Sequence, residues 1–136
     1  MKNLLSLVFV VVSSLMSNQV IAQNMSSTLL ERQYGNITYV SGGIGDEERD
    51  EIRSRERNFN LKLLFAERNG SYLGDVDVVL LNTKGDTVFD AKSVGPFLLM
   101  QLPGGRYVIK ASMNGQTQQR RLSINVKERY DAIFRW

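Results

Sequence analysis

The sequence predicts a mainly β domain: one antiparallel sandwich of about seven strands with a single short surface helix over residues 46–57. Three observations predict it. From Asn60 onward, apolar and polar residues alternate with a period of two, as in strands buried on one face. These runs recur roughly every 8–12 residues between turn residues, the rhythm of a sandwich. Finally, residues 95–109, GPFLLMQLPGGRYVI, place two apolar runs on either side of Pro103-Gly104-Gly105. Pro suits the second position of a turn and Gly the positive-φ position after it, so this stretch is expected to be a hairpin.

Taken in chain order, Met1-Lys2-Asn3 is a short basic start, and the run from Leu4 to Met16 is apolar except for Ser6, Ser13 and Ser14. Val20-Ile21-Ala22 then supplies small or short residues at a cleavage site. The layout is that of a secretory signal peptide over residues 1–22, cut between Ala22 and Gln23. The run is shorter than the roughly 20 apolar residues that span a bilayer, so no membrane span is expected after cleavage. Residues 23–35 are polar and weakly patterned and are expected to be a flexible leader. The domain proper is expected over residues 36–136.

Within it, Asn36-Ile37-Thr38-Tyr39-Val40 is a β candidate closed by Ser41-Gly42-Gly43. In DEERDEIRSRER, Asp46 is the expected N-cap, Glu47 and Glu48 occupy the first turn, and Arg53, Arg55 and Arg57 follow. That charge order complements the helix dipole. Leu61, Leu63 and Phe65 share one strand face; Val76, Val78 and Leu80 share another. Turns are expected at Asn69-Gly70, Lys84-Gly85-Asp86 and Asn114-Gly115. Two last strands are expected over residues 121–126 and 130–136. In the second, Tyr130, Ala132, Phe134 and Trp136 share a face suited to closing one end of the core.

Loss of residues 1–22 removes Lys2 and leaves 16 basic against 14 acidic residues, a net charge of +2. The bases are scattered among the acids, which argues against nucleic acid as a partner. The chain has no Cys and no His. An exported chain of this size without disulfides must be held by its core alone, which fits a bacterial periplasm or secretion into the medium. Without His or Cys there is no neutral-pH proton shuttle, no thiol nucleophile and no common transition-metal ligand. No enzyme activity and no cofactor or metal are therefore expected.

The spacing of Gly95, Phe97, Leu102, Pro103, Gly105, Tyr107 and Ile109 resembles the G-x-F-x(4)-L-P-x-G-x-Y-x-[VI] pattern of carboxypeptidase regulatory-like domains. Val76 and Val78 before it, and Ala111 and Gly115 after it, extend the likeness over residues 76–124. Lys92-Ser93-Val94 departs from the usual T-D-x-x turn. The resemblance implies a transthyretin/Ig-like sandwich, a carbohydrate-binding-like fold that hosts many unrelated functions. The chain is also similar to small uncharacterised exported proteobacterial proteins in Ser41-Gly42-Gly43-Ile44-Gly45 before an acidic helix, in residues 60–66, and in the closing Phe134-Arg135-Trp136.

The functional expectation is a non-catalytic module acting in binding or protein interaction in the bacterial envelope, its partner an envelope protein or a glycan; the alternative is a carbohydrate-binding module. Tyr34 and, as binding candidates, Tyr72, Tyr130 and Trp136 are aromatics near turns or chain ends, of the kind that sugar-binding sandwiches expose. Asp75 and Asp77 are expected on the solvent side of one strand. Gly42-Gly43-Ile44-Gly45 has the form of an anion-binding turn, but Asp46-Glu47-Glu48 beside it would repel phosphate.

Overall fold

The computed structural model describes residues 29–136. The expected signal peptide, its cleavage point between Ala22 and Gln23, and the first part of the leader lie outside the described residues. The chain forms β1 (Glu31–Tyr34), β2 (Ile37–Gly42), α1 (Asp46–Arg55) with a 3-10 turn (Glu56–Asn58), β3 (Leu61–Ala66), β4 (Val76–Leu81), β5 (Thr87–Ser93), β6 (Phe97–Gln101), β7 (Gly105–Met113), β8 (Gln116–Ile124) and β9 (Tyr130–Arg135). Two sheets result, one in the order β1-β2-β6-β3-β9 and the other β5-β4-β7-β8. This is the expected β-sandwich with one short helix.

Nine strands form among the described residues, not seven. Strand β1 arises from the segment expected as leader. ERQY is exposed along its length, so it carries no alternation, yet it pairs antiparallel with β2 through a tight turn at Gly35 (φ 58). Strand β8 starts at Gln116, ahead of the expected Arg121, because polar residues 116–120 pair with β7 across the Asn114-Gly115 turn. The helix proper stops at Arg55, and its N-cap is Gly45 (φ 82), with Asp46 inside the first turn.

The Pro103-Gly104-Gly105 turn is not a hairpin. Strand β6 pairs with β2 and β3, while β7 pairs with β4 and β8. The turn is a corner that carries the chain from one sheet to the other. Both flanking runs are apolar because each is central in its own sheet, not because they face one another. The Tyr107 hydroxyl donates to the Pro103 carbonyl at 2.7 Å, a latch of the kind found at sandwich corners. The sandwich also departs from pure antiparallel pairing: β9 runs parallel to β3 over six residues.

Leu61, Leu63, Phe65, Val78, Leu80, Ile109 and Phe134 fill the space between the sheets, all fully buried. A second cluster lies behind the first sheet, where Ile52, Phe59 and Leu29 pack on Val40 and Leu99. Strands β2 and β6 are therefore covered on both faces, which explains the unbroken apolar run Phe97-Leu98-Leu99-Met100. Asn60, buried at the start of β3, donates its amide to the Leu102 carbonyl and accepts from the Leu102 N–H, both at 2.8 Å. It acts as an extra ladder rung holding the corner in place.

Candidate binding groove

The two segments that carry the sequence resemblances meet in space. A Cβ on Gly95 would lie 2.3 Å from the Gly42 carbonyl oxygen, and one on Gly43 would lie 2.4 Å from the Phe97 ring. Only bare backbone allows this crossing. Ser41 and Ser93 stitch it: the hydroxyls meet at 3.1 Å, Val94 N–H donates to Ser41 Oγ, and Ser93 Oγ donates to the Gly95 carbonyl. The anion-binding form of Gly42-Gly43-Ile44-Gly45 also has its occupant. The N–H groups of Gly43 and Ile44 both donate to Glu48 Oε2 at 2.9 Å, so the helix's own carboxylate fills the turn.

The aromatic candidates do not converge. Tyr72 is exposed, its ring against Phe97 (5.7 Å) and under the Arg49 guanidinium (5.5 Å). Arg49 also donates to the Gly43 carbonyl and to Asp46, so this cluster pins α1 to the sheet. Tyr130 opens β9, and its N–H donates to the Asn60 carbonyl. Trp136 follows the other end of β9, roughly 20 Å away at strand rise. Its ring packs on Phe65 and Phe134, and its Nε1 donates to the Gln116 carbonyl. Tyr34 covers Phe89 at 5.4 Å. Asp75 precedes β4 at φ 57 and so shares no strand face with Asp77. Asp77 lies on the exposed side of β4, 3.7 Å from Lys92.

Charge is sorted between the faces. On the helix side Arg49, Arg53 and Arg55 each pair with a carboxylate of α1, while Lys62 and Arg129 share Glu56. The hydrogen bond to Asp131 holds the Arg129 guanidinium above its ordinary pKa. On the outer face of the second sheet Lys92 pairs with Asp77 across β4 and β5, but on its β7–β8 half the cations have no such partner among the described residues. Arg106, Val108 and Lys110 alternate outward on β7, and Arg121 on β8 stands opposite Val108. Arg121 is thus a diagonal neighbour of both Arg106 and Lys110, at about 7–8 Å in sheet geometry. None of the three belongs to an ion pair among the described residues, and Arg106 and Arg121 are exposed.

A groove of about 580 Å³ opens here, lined by Leu81, Asn82, Thr83, Arg106, Val108 and Arg121 and closed by Ser123. It exists because β4 leaves the sheet early. The β4–β7 ladder ends at Leu81 opposite Val108, whereas β7 and β8 stay paired down to Gly105. Residues 105–107 therefore have a strand neighbour on one side and the 82–86 turn on the other. Asn82 Oδ1 holds that turn by accepting from the N–H groups of Lys84 and Asp86, both at 3.0 Å. Burial raises the phenol pKa of Tyr107, beneath the groove, above its ordinary value.

The groove residues escape a search by residue type, which favours exposed aromatics. The alternation of Arg106, Val108 and Lys110 is visible in the sequence, but that Arg121 stands opposite Val108 with no acid facing these cations is shown only by the strand register. No protein-family model matches the sequence, and no curated protein matches it significantly. Among the described residues no helix is long and apolar enough to cross a membrane.

Proposed function

We propose that the protein is a non-catalytic binding module of the bacterial cell envelope, exported by residues 1–22 and built on a carboxypeptidase regulatory-like sandwich. Its partner is an envelope protein or glycan. The observation that carries this reading is the groove beside β7, where two exposed arginines without acidic partners flank the apolar floor of Leu81 and Val108. Unpaired like charges on neighbouring strands repel one another and contribute nothing to folding; a ligand that supplies the opposite charge gives them a role. The side chains around the groove donate and accept hydrogen bonds but include no matched acid and base, which suits holding a ligand rather than transforming it.

The test is cosedimentation of the purified mature chain with isolated envelope at low salt. Retention that falls at least tenfold in the double variant Arg106→Gln/Arg121→Gln, at unchanged melting temperature, is the expected result. Equal retention of both forms, or none of either, rejects the groove as the binding surface. Intact mass of the chain from fractionated cells, expected to begin near Gln23 and to leave the membrane pellet, tests the export half of the proposal.

A further inference from the structure

We propose that the groove beside β7 takes an acidic glycan, a polysaccharide bearing carboxylate groups; this rests on the reading of that groove as a binding surface. Arg106 and Arg121 are diagonal neighbours with Lys110 on the far side of Arg121, and none has a carboxylate partner among the described residues. A guanidinium presents its donors as a planar fork that matches a carboxylate two bonds at a time. Two such forks on diagonal positions, about 7–8 Å apart at the backbone, suit acid groups recurring along a chain.

The remainder of the lining is matched to sugar. Leu81 and Val108 are half-buried side by side and offer a flat apolar strip for the C–H face of a ring. Around that strip stand the hydroxyls of Thr83 and Ser123 and the amide of Asn82. The Thr83 and Ser123 hydroxyls have no hydrogen-bond partner among the described residues, and Asn82 has its amide nitrogen to spare. A volume near 580 Å³ falls within the roughly 300–1,000 Å³ of small-ligand sites.

Other acidic partners fit less well. An acidic peptide adding as a strand would need a run of open edge. Within the groove, between β7 and the 82–86 turn, the open stretch is residues 105–107, stopped at one end by the paired Val108 and at the other by the Pro103-Gly104 corner; the longer open edge of this sheet, along β8, faces away from that gap. Single-stranded nucleic acid would call for aromatic rings to stack bases, and the groove's one aromatic, Tyr107, is buried with its hydroxyl engaged.

The experiment measures binding of the mature chain to polygalacturonate, to neutral dextran and to polyglutamate at fixed ionic strength. The expected result is polygalacturonate bound at least tenfold more tightly than the other two. Arg106→Gln/Arg121→Gln should abolish that preference, and Thr83→Val, which leaves the charge untouched, should weaken polygalacturonate several-fold. Dextran bound as well as polygalacturonate overturns the role of the acid groups. Polyglutamate bound equally well, with Thr83→Val silent, overturns the sugar and leaves charge alone. If no polymer binds while envelope retention still depends on Arg106 and Arg121, the glycan assignment falls and the binding module stands. If retention ignores the arginines too, both fall.

Discussion

Replacing Gly95 by Ala adds one methyl group where two backbones cross. The new Cβ would sit 2.3 Å from the Gly42 oxygen and 2.4 Å from its carbonyl carbon, whereas ordinary contact begins at 3.4 Å, so the strands must part by about 1 Å. Three tethers between the two segments resist that movement: the Gly42–Phe97 pairing of the β2–β6 ladder, the Val94 N–H bond to Ser41 Oγ at 2.8 Å, and the Ser41–Ser93 hydroxyl contact at 3.1 Å. Overpacking a tight site costs about 1–3 kcal/mol, and each hydrogen bond broken in relieving it adds about 1 kcal/mol. A total of about 3–5 kcal/mol corresponds, at roughly 4–8 °C per kcal/mol for a domain of this size, to a melting temperature lower by at least about 12 °C. Gly104→Ala is the control, since its Cβ would meet neighbours at 3.6 and 3.7 Å; it should stay within about 0.5 kcal/mol of the parent. Thermal melts by circular dichroism decide the matter. A Gly95→Ala protein that melts within a few degrees of the parent refutes the backbone crossing as a packing constraint.

Deleting residues 134–136 removes Phe134, which is 1% exposed, worth about 3–5 kcal/mol, together with the Trp136 bonds to Gln116 and Ala66. Against a total of roughly 5–15 kcal/mol, the truncated chain should melt far lower or fail to fold; an unchanged melt rejects the structural role of the C-terminus. Tyr107→Phe should cost about 0.5–1.5 kcal/mol at neutral pH through the lost bond to Pro103. It should also change the pH dependence. The folded phenol titrates above its ordinary value of 10.0, so its contribution is complete below that pH and is lost as pH rises through the folded pKa, the unfolded chain releasing its proton first. Urea melts from pH 8 to 11 should therefore fall more steeply above pH 10 for the parent than for Tyr107→Phe, and parallel curves would refute the assignment.

What the sequence determined by itself was local. The two-residue period of β3, β4 and β9 and the acid-to-base order of α1 are properties of neighbouring residues, so they read correctly without a fold. The same locality limited the rest. An apolar run reports that a strand is buried, not which strand it pairs with; hence the Pro103-Gly104-Gly105 turn read as a hairpin although it joins two sheets. Exposed ERQY gave no burial signal, and β1 exists only because β2 offers it an edge. Gly42-Gly43-Ile44-Gly45 showed an anion-binding form, and Glu48, five residues after Gly43 and four after Ile44, fills it through a local capping contact. The groove belongs wholly to the tertiary level: it opens because the β4–β7 ladder stops at Val108 while β7–β8 runs on to Gly105. That difference in ladder length leaves Arg106 and Arg121 together over an apolar floor. No residue in either strand encodes it alone, because pairing register is set by packing across the sandwich.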